Sequence, residues 1–108
     1  MELSEIIKEK AKGMHHQLIE WRRHLHANPE LSFEEHNTMA FISSTLDKLG
    51  INHLSGVAGT GVVATIKGLN PESRTVALRS DHDALPIQEL NKVDYASVNP
   101  GVMHACGH

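Results

Sequence analysis

Between residues 4 and 27 the apolar side chains Ile7, Ala11, Met14, Leu18, Trp21 and Leu25 recur in alternating steps of four and three. With about 3.6 residues per turn, that spacing winds them onto one stripe of an amphipathic α-helix. The helix is expected to end near Asn28, because Pro29 disfavours the α conformation of the residue before it.

A second helix is predicted to open at Ser32, where Ser32-Phe33-Glu34-Glu35 has the pattern of a capping box. Met39, Ile42, Leu46 and Leu49 make its buried stripe, and Gly50 stands where a left-handed residue closes a helix, with Ile51 packing back on Leu46. Extended segments follow at 51–54, at 62–67 with its β-branched residues, and at 75–79, the last two joined by a turn at Asn70-Pro71. The glycine-rich link at 56–61 precedes a strand rather than a helix, so it lacks the helix dipole that holds phosphate and reads as a plain turn. Residues 87–100 have no clean period and read as loop. The class is α/β: two N-terminal helices, then strands of a mixed sheet, with no repeat or linker to divide the chain.

Charge removes several functions from consideration. A formal net charge of -3 with no basic stripe argues against nucleic acid, which needs clustered Lys and Arg to displace phosphate counterions. The acidic opening Met1-Glu2-Leu3-Ser4-Glu5 is neither a secretory signal nor a membrane anchor, so the cytoplasm is the expected compartment. One cysteine among 108 residues allows no internal disulfide. Of the nine histidines, His15, His16, His36 and His53 lie in polar stretches and are expected to face solvent.

The chemistry-bearing residues gather in the last quarter of the chain. Asp81 and Asp83 alternate at the tip of the third extended segment, so their carboxylates share one face and His82 takes the other. Strand tips are where α/β sheets place ligands. Cys106-Gly107-His108 sets a thiol and an imidazole two residues apart, a pair that a zinc-like divalent ion accepts where the chain bends at the glycine. Alone, the tripeptide reads better as a buried structural cysteine beside a surface histidine, and the two acids as turn residues or partners of Arg79.

Taken with Trp21 to Glu35, including Arg22-Arg23-His24-Leu25-His26-Ala27-Asn28-Pro29-Glu30, and with Gly59-Thr60-Gly61-Val62-Val63, these segments make a longer pattern. Together with the run from Val76 to Glu89 and Asn99-Pro100-Gly101-Val102-Met103-His104-Ala105-Cys106-Gly107-His108, they resemble the metal-dependent amidohydrolase branch of the aminoacylase/carboxypeptidase (zinc exopeptidase) family. Hippurate hydrolases and N-acyl-amino-acid amidohydrolases belong to that branch.

The resemblance implies a partial zinc-exopeptidase-like (phosphorylase/hydrolase-like) catalytic domain, with residues 1–108 as its N-terminal portion, stopping within the metal-binding motif. It implies two divalent metal ions (Zn²⁺, Mn²⁺, Co²⁺ or Ni²⁺) in the complete enzyme, with Cys106 bridging them and His108 a ligand to one. Asp83 matches the family's supporting acid and is the candidate catalytic residue, while Asp81 and His104 are candidates for supporting or substrate contacts. Position 82 departs from the pattern, which commonly has an apolar residue there. The implied reaction hydrolyses the amide bond of N-acyl amino acids, in a full-length form that is a homodimer or higher oligomer. The general base lies beyond this sequence, so weak metal binding and no turnover are expected of these residues alone. The rival readings are a catalytically inactive binding module, a dipeptidase or carboxypeptidase of the same family, and a cysteine nucleophile activated by His108 or His104.

Overall fold

The computed structural model describes residues 1–107; His108, one of the two predicted metal ligands, lies outside the described residues. Helices lead and strands follow, as the periodicities require: α1 Leu3–Gly13, α2 His15–Ala27, α3 His36–Lys48, β1 Asn52–Val57 and β2 Gly61–Thr65. The α/β class holds, and several local expectations change.

The first predicted helix is two. Met14 has ψ -3°, far from the roughly -42° of regular helix, and marks the break between α1 and α2. It follows Gly13, and glycine is the weakest helix former apart from proline. No residue of α1 is buried, and Ile7, in the middle of the predicted stripe, is 57% exposed.

The second helix starts at His36, not Ser32. Phe33 has φ +63°, a left-handed conformation that no first helical turn accommodates. Upstream of it, Leu31 forms a parallel bridge to Ala84, and the Ala84 amide donates to the Glu30 carbonyl at 2.7 Å. Those contacts hold the chain extended at Leu31, and the Glu34 amide then closes a turn through Ser32 and Phe33 on the Leu31 carbonyl at 2.9 Å. Glu30 caps the helix instead, from outside it. Its carboxylate accepts the amides of Asn37 at 3.1 Å and Thr38 at 2.5 Å, donors that a helix end leaves without partners. The Thr38 hydroxyl adds a bond at 2.7 Å. Burial pushes the Glu30 carboxyl up, but the Thr38 and Asn37 donors outweigh it and hold the group below its ordinary value.

The other end of α3 follows expectation. Gly50 is left-handed at φ +68°, and its amide donates to Asp47 while that of Ile51 donates to Leu46, at 3.0 and 2.9 Å. This is the Schellman pair. Met39, Ile42 and Leu46 are half-buried, whereas Leu49 is exposed.

β1 and β2 form an antiparallel hairpin with Leu54 opposite Val63 and a bulge at Gly56, so the glycine-rich link is its turn. A β-carbon added at Gly61 would stand 2.6 Å from the Val57 carbonyl oxygen. That oxygen belongs to the backbone and cannot swing aside. Gly61→Ala is therefore expected to cost about 1–3 kcal/mol in urea unfolding; a variant as stable as the parent would show that the hairpin relaxes freely. His53, predicted to face solvent, is instead held in place. Its Nδ1 is 2.9 Å from the Ile51 carbonyl and must carry the proton, leaving Nε2 to accept the Ser43 hydroxyl at 2.6 Å.

The predicted strand at 75–79 makes no ladder, and Leu78 is 98% exposed. A strand is defined by the neighbour that takes its hydrogen bonds, and sequence pattern carries the tendency without the neighbour. Pairing resumes just after it, in both senses: the parallel Leu31–Ala84 bridge and an antiparallel Leu85–Met103 bridge. The Asn70-Pro71 turn is present, with the Ser73 amide on the Asn70 carbonyl at 3.2 Å. Much apolar surface stays uncovered. The radius of gyration is 16.2 Å, against about 13 Å for a compact domain of this length.

Candidate functional site

Two bridges build the site. Leu31–Ala84 lays the 81–85 segment beside the loop after α2, and Leu85–Met103 lays the 103–106 segment along its other side. The result is a cavity of about 180 Å³ lined by Asp81, Asp83, Leu85, His104, Ala105 and Cys106. The odd-numbered residues 81, 83 and 85 face it together, as a period of two requires, and His82 does not line it.

Each of these side chains has a defined setting. Asp83 accepts the Ser32 hydroxyl on Oδ2 at 2.8 Å, so the serine expected to cap a helix serves the site instead. Asp81 is paired with Arg79, Nη2 to Oδ1 at 2.7 Å, with the guanidinium well exposed. Cys106 is an exposed free thiol. His104 is half-buried, and its Nε2 has no hydrogen-bond partner among the described residues. Burial pushes its pKa down, the His26 ring adds to that, and the Asp83 backbone and carboxylate pull the other way; the balance keeps the imidazole below its ordinary value.

Next to His104 lies a second constellation that the sequence did not disclose. His26, at the end of α2, has its ring centroid 6.5 Å from that of His104. Its Nε2 sits 3.1 and 3.0 Å from the two carboxylate oxygens of Glu89. The Glu89 side chain is 3% exposed. It also accepts the Ser97 amide at 2.6 Å and the Asn91 side-chain amide at 3.1 Å. The His26, Ser97 and Asn91 donors together hold the Glu89 carboxyl down at about 2. Tyr95 meets the His26 ring edge-on and carries Arg23 over its own face, 4.4 Å from the centroid. On the far side, buried Glu35 accepts the Thr60 hydroxyl at 2.5 Å and ties α3 to the hairpin. Neither Glu35 nor Glu89 could be found from periodicity, because a glutamate is normally solvated and its burial depends on donors supplied from distant segments.

The cavity's donors are two carboxylates, an imidazole and a thiol, a set that suits a borderline divalent ion in kind. In number they fall short: among the described residues no three His, Cys, Asp or Glu side chains converge to hold a metal ion. His108 is not described. Among the described residues no helix is long and apolar enough to cross a membrane.

No family model matches the chain. Individual relatives do. An N-acyl-L-amino acid amidohydrolase of Geobacillus stearothermophilus is 52% identical over 104 residues, which is 96% of this chain and 28% of the relative. Thermostable carboxypeptidase 2 of Saccharolobus solfataricus is 47% identical over 109 aligned residues, 100% of this chain and 28% of its own length. Among solved structures, a dinuclear metal binding peptidase of the M20 family from Bacillus subtilis superposes with a TM-score of 0.78 at 44% identity, covering 89% of this chain and 27% of that one. The chain thus spans little more than a quarter of the length of the proteins it matches.

Proposed function

We propose that the chain, over the stretch it shares with these relatives, belongs to the metal-dependent amidohydrolase and carboxypeptidase family and is the N-terminal portion of the catalytic domain of a hydrolase of N-acyl amino acids. The observation that supports this reading is the shared cavity of Asp81, Asp83, His104 and Cys106. Two carboxylates and a thiol brought to one cavity from separate segments suit divalent ions in kind. Cys106 and His108 would bind two divalent ions, Zn²⁺, Mn²⁺, Co²⁺ or Ni²⁺. Bound ions supply Lewis acidity, polarising the amide carbonyl and making water nucleophilic near neutral pH.

The chain's own residues do the rest. Asp83, held by Ser32, presents a fixed carboxylate that orients a ligand and raises its basicity. Asp81, drawn toward Arg79, is a supporting group rather than a ligand. His104, whose pKa burial pushes down, faces the same cavity and can hydrogen-bond toward the substrate. Carboxylic acid and amino acid are the products. The enzyme works in the cytoplasm on small molecules, as a homodimer or larger assembly, without nucleic acid or membrane.

The test uses acetyl and benzoyl amino acids as substrates for the protein that carries this chain. Cys106→Ser is expected to lower kcat/KM at least about a hundredfold; a chelator should abolish turnover, and one of the four metals should restore it. Hydrolysis that survives both treatments would sink the reading. Residues 1–108 alone should bind metal weakly and turn over nothing, because among the described residues no three ligating side chains converge on one ion.

A further inference from the structure

The segment that delivers Cys106 to the cavity has no regular structure of its own: from 91 to 102 neither helix nor strand is present. Something else must fix where it stands. Glu89 is the root of a hydrogen-bond chain that does so. Nε2 of His26 lies within reach of both its oxygens, which makes that nitrogen the donor and locks the carboxylate to the end of α2.

From the locked carboxylate the chain runs outward. Glu89 Oε1 takes the Ser97 amide at 2.6 Å. The Ser97 hydroxyl donates to the Val102 carbonyl at 2.7 Å and accepts the Asn99 amide at 3.1 Å, closing the turn before Met103. The Val98 amide donates to Ala27 at 2.9 Å, so the same loop is stitched to α2 a second time. Met103 then exchanges both backbone hydrogen bonds with Leu85, at 3.0 Å each. That exchange sets the backbone leading to His104 and Cys106 alongside the segment that carries Asp81 and Asp83.

We propose that Glu89, locked by His26, is the positioning residue that sets Cys106 and His104 against Asp81 and Asp83. Its meaning for catalysis rests on the reading of Cys106 as a metal ligand; its mechanical role does not. A carboxylate suits the task because it accepts several donors at once and its bonds are charge-assisted, hence short and strong. The pair touches neither Asp83 nor Cys106 and acts on them through the loop.

Amide hydrogen exchange on the full 108-residue chain decides it. Glu89→Ala is expected to speed exchange at Leu85 and Met103 by about tenfold or more, while the amides of α3 and the hairpin keep their protection. Glu89→Gln retains an oxygen for the Ser97 amide and should restore most of the difference. Unchanged exchange at Leu85 and Met103, or an equal loss at every amide, overturns the proposal. Should Glu89→Ala fail to fold, Ser97→Ala cuts the relay one step downstream with the His26–Glu89 pair intact, and the same local loss is expected and the same outcomes overturn it.

Cadmium titration followed by thiolate-to-metal absorption reads the site itself, since Cys106 is the single cysteine. Ser97→Ala should weaken cadmium affinity about tenfold to a hundredfold; faster exchange with unchanged affinity would overturn a role in the metal site. Absence of the band in the unaltered chain would sink the proposed metal function and leave the exchange pattern to decide for Glu89.

Discussion

Glu30→Ala is expected to lower the stability of the chain by about 2 kcal/mol, the upper range for loss of a helix cap. The carboxylate serves four donors at the start of α3: the amides of Asn37 and Thr38, the Thr38 hydroxyl and the Asn37 side chain. Thr38 is 3% exposed, so its amide and hydroxyl cannot turn to water once their acceptor is gone. In a chain of this size the change should appear as a drop in Tm of roughly 10 °C. Glu30→Gln should recover part of it, because the side-chain carbonyl can still accept. An unchanged Tm in the alanine variant would mean that α3 is held by its packing and not by its cap.

The larger loss is expected from His26→Leu. Removing the imidazole takes away the principal donor of a carboxylate whose side chain is 3% exposed, and a buried charge deprived of its partner is among the costliest single defects a fold can carry. The drop in Tm should exceed that of Glu30→Ala. Adding Glu89→Gln to His26→Leu should raise Tm again by removing the stranded charge. If the double variant melts below the single one, the carboxylate is not stranded and the pair is not the source of the stability.

The same pair sets an acid limit. Glu89 has its folded pKa depressed to about 2, from an ordinary value of 4.5. A depressed carboxyl contributes stability that is complete above the unfolded value and is lost as pH falls toward the folded one. Thermal unfolding should therefore show Tm falling between about pH 4.5 and about pH 2, with Glu30 and Glu35, both also lowered, acting in the same direction. Glu89→Gln should flatten the fall. A Tm that is constant through this window would show that Glu89 titrates normally in the fold.

How far the sequence reached can be judged from single elements. The end of α3 was legible because Gly50 and Ile51 close a helix through contacts within six residues of one another. The face shared by Asp81 and Asp83 was legible too, since a period of two is a property of extended backbone wherever it lies. Ser32 misled because its hydroxyl could cap a helix three residues on or reach Asp83, 51 positions away, and local pattern registers only the first choice. The segment at 75–79 misled for the converse reason, having strand composition without a strand beside it.

Sequence alone therefore determined the order of helices and hairpin, the closing of α3 and the residue types brought to the cavity. These follow from backbone geometry and side-chain period, which act over a few residues. Tertiary structure alone decided that Ser32 would hold Asp83, that Glu30 would cap α3 from outside, and that His26 would meet Glu89 across 63 positions. A buried carboxylate is tolerable only where several donors converge on it, and convergence is a property of the folded chain, not of any segment within it.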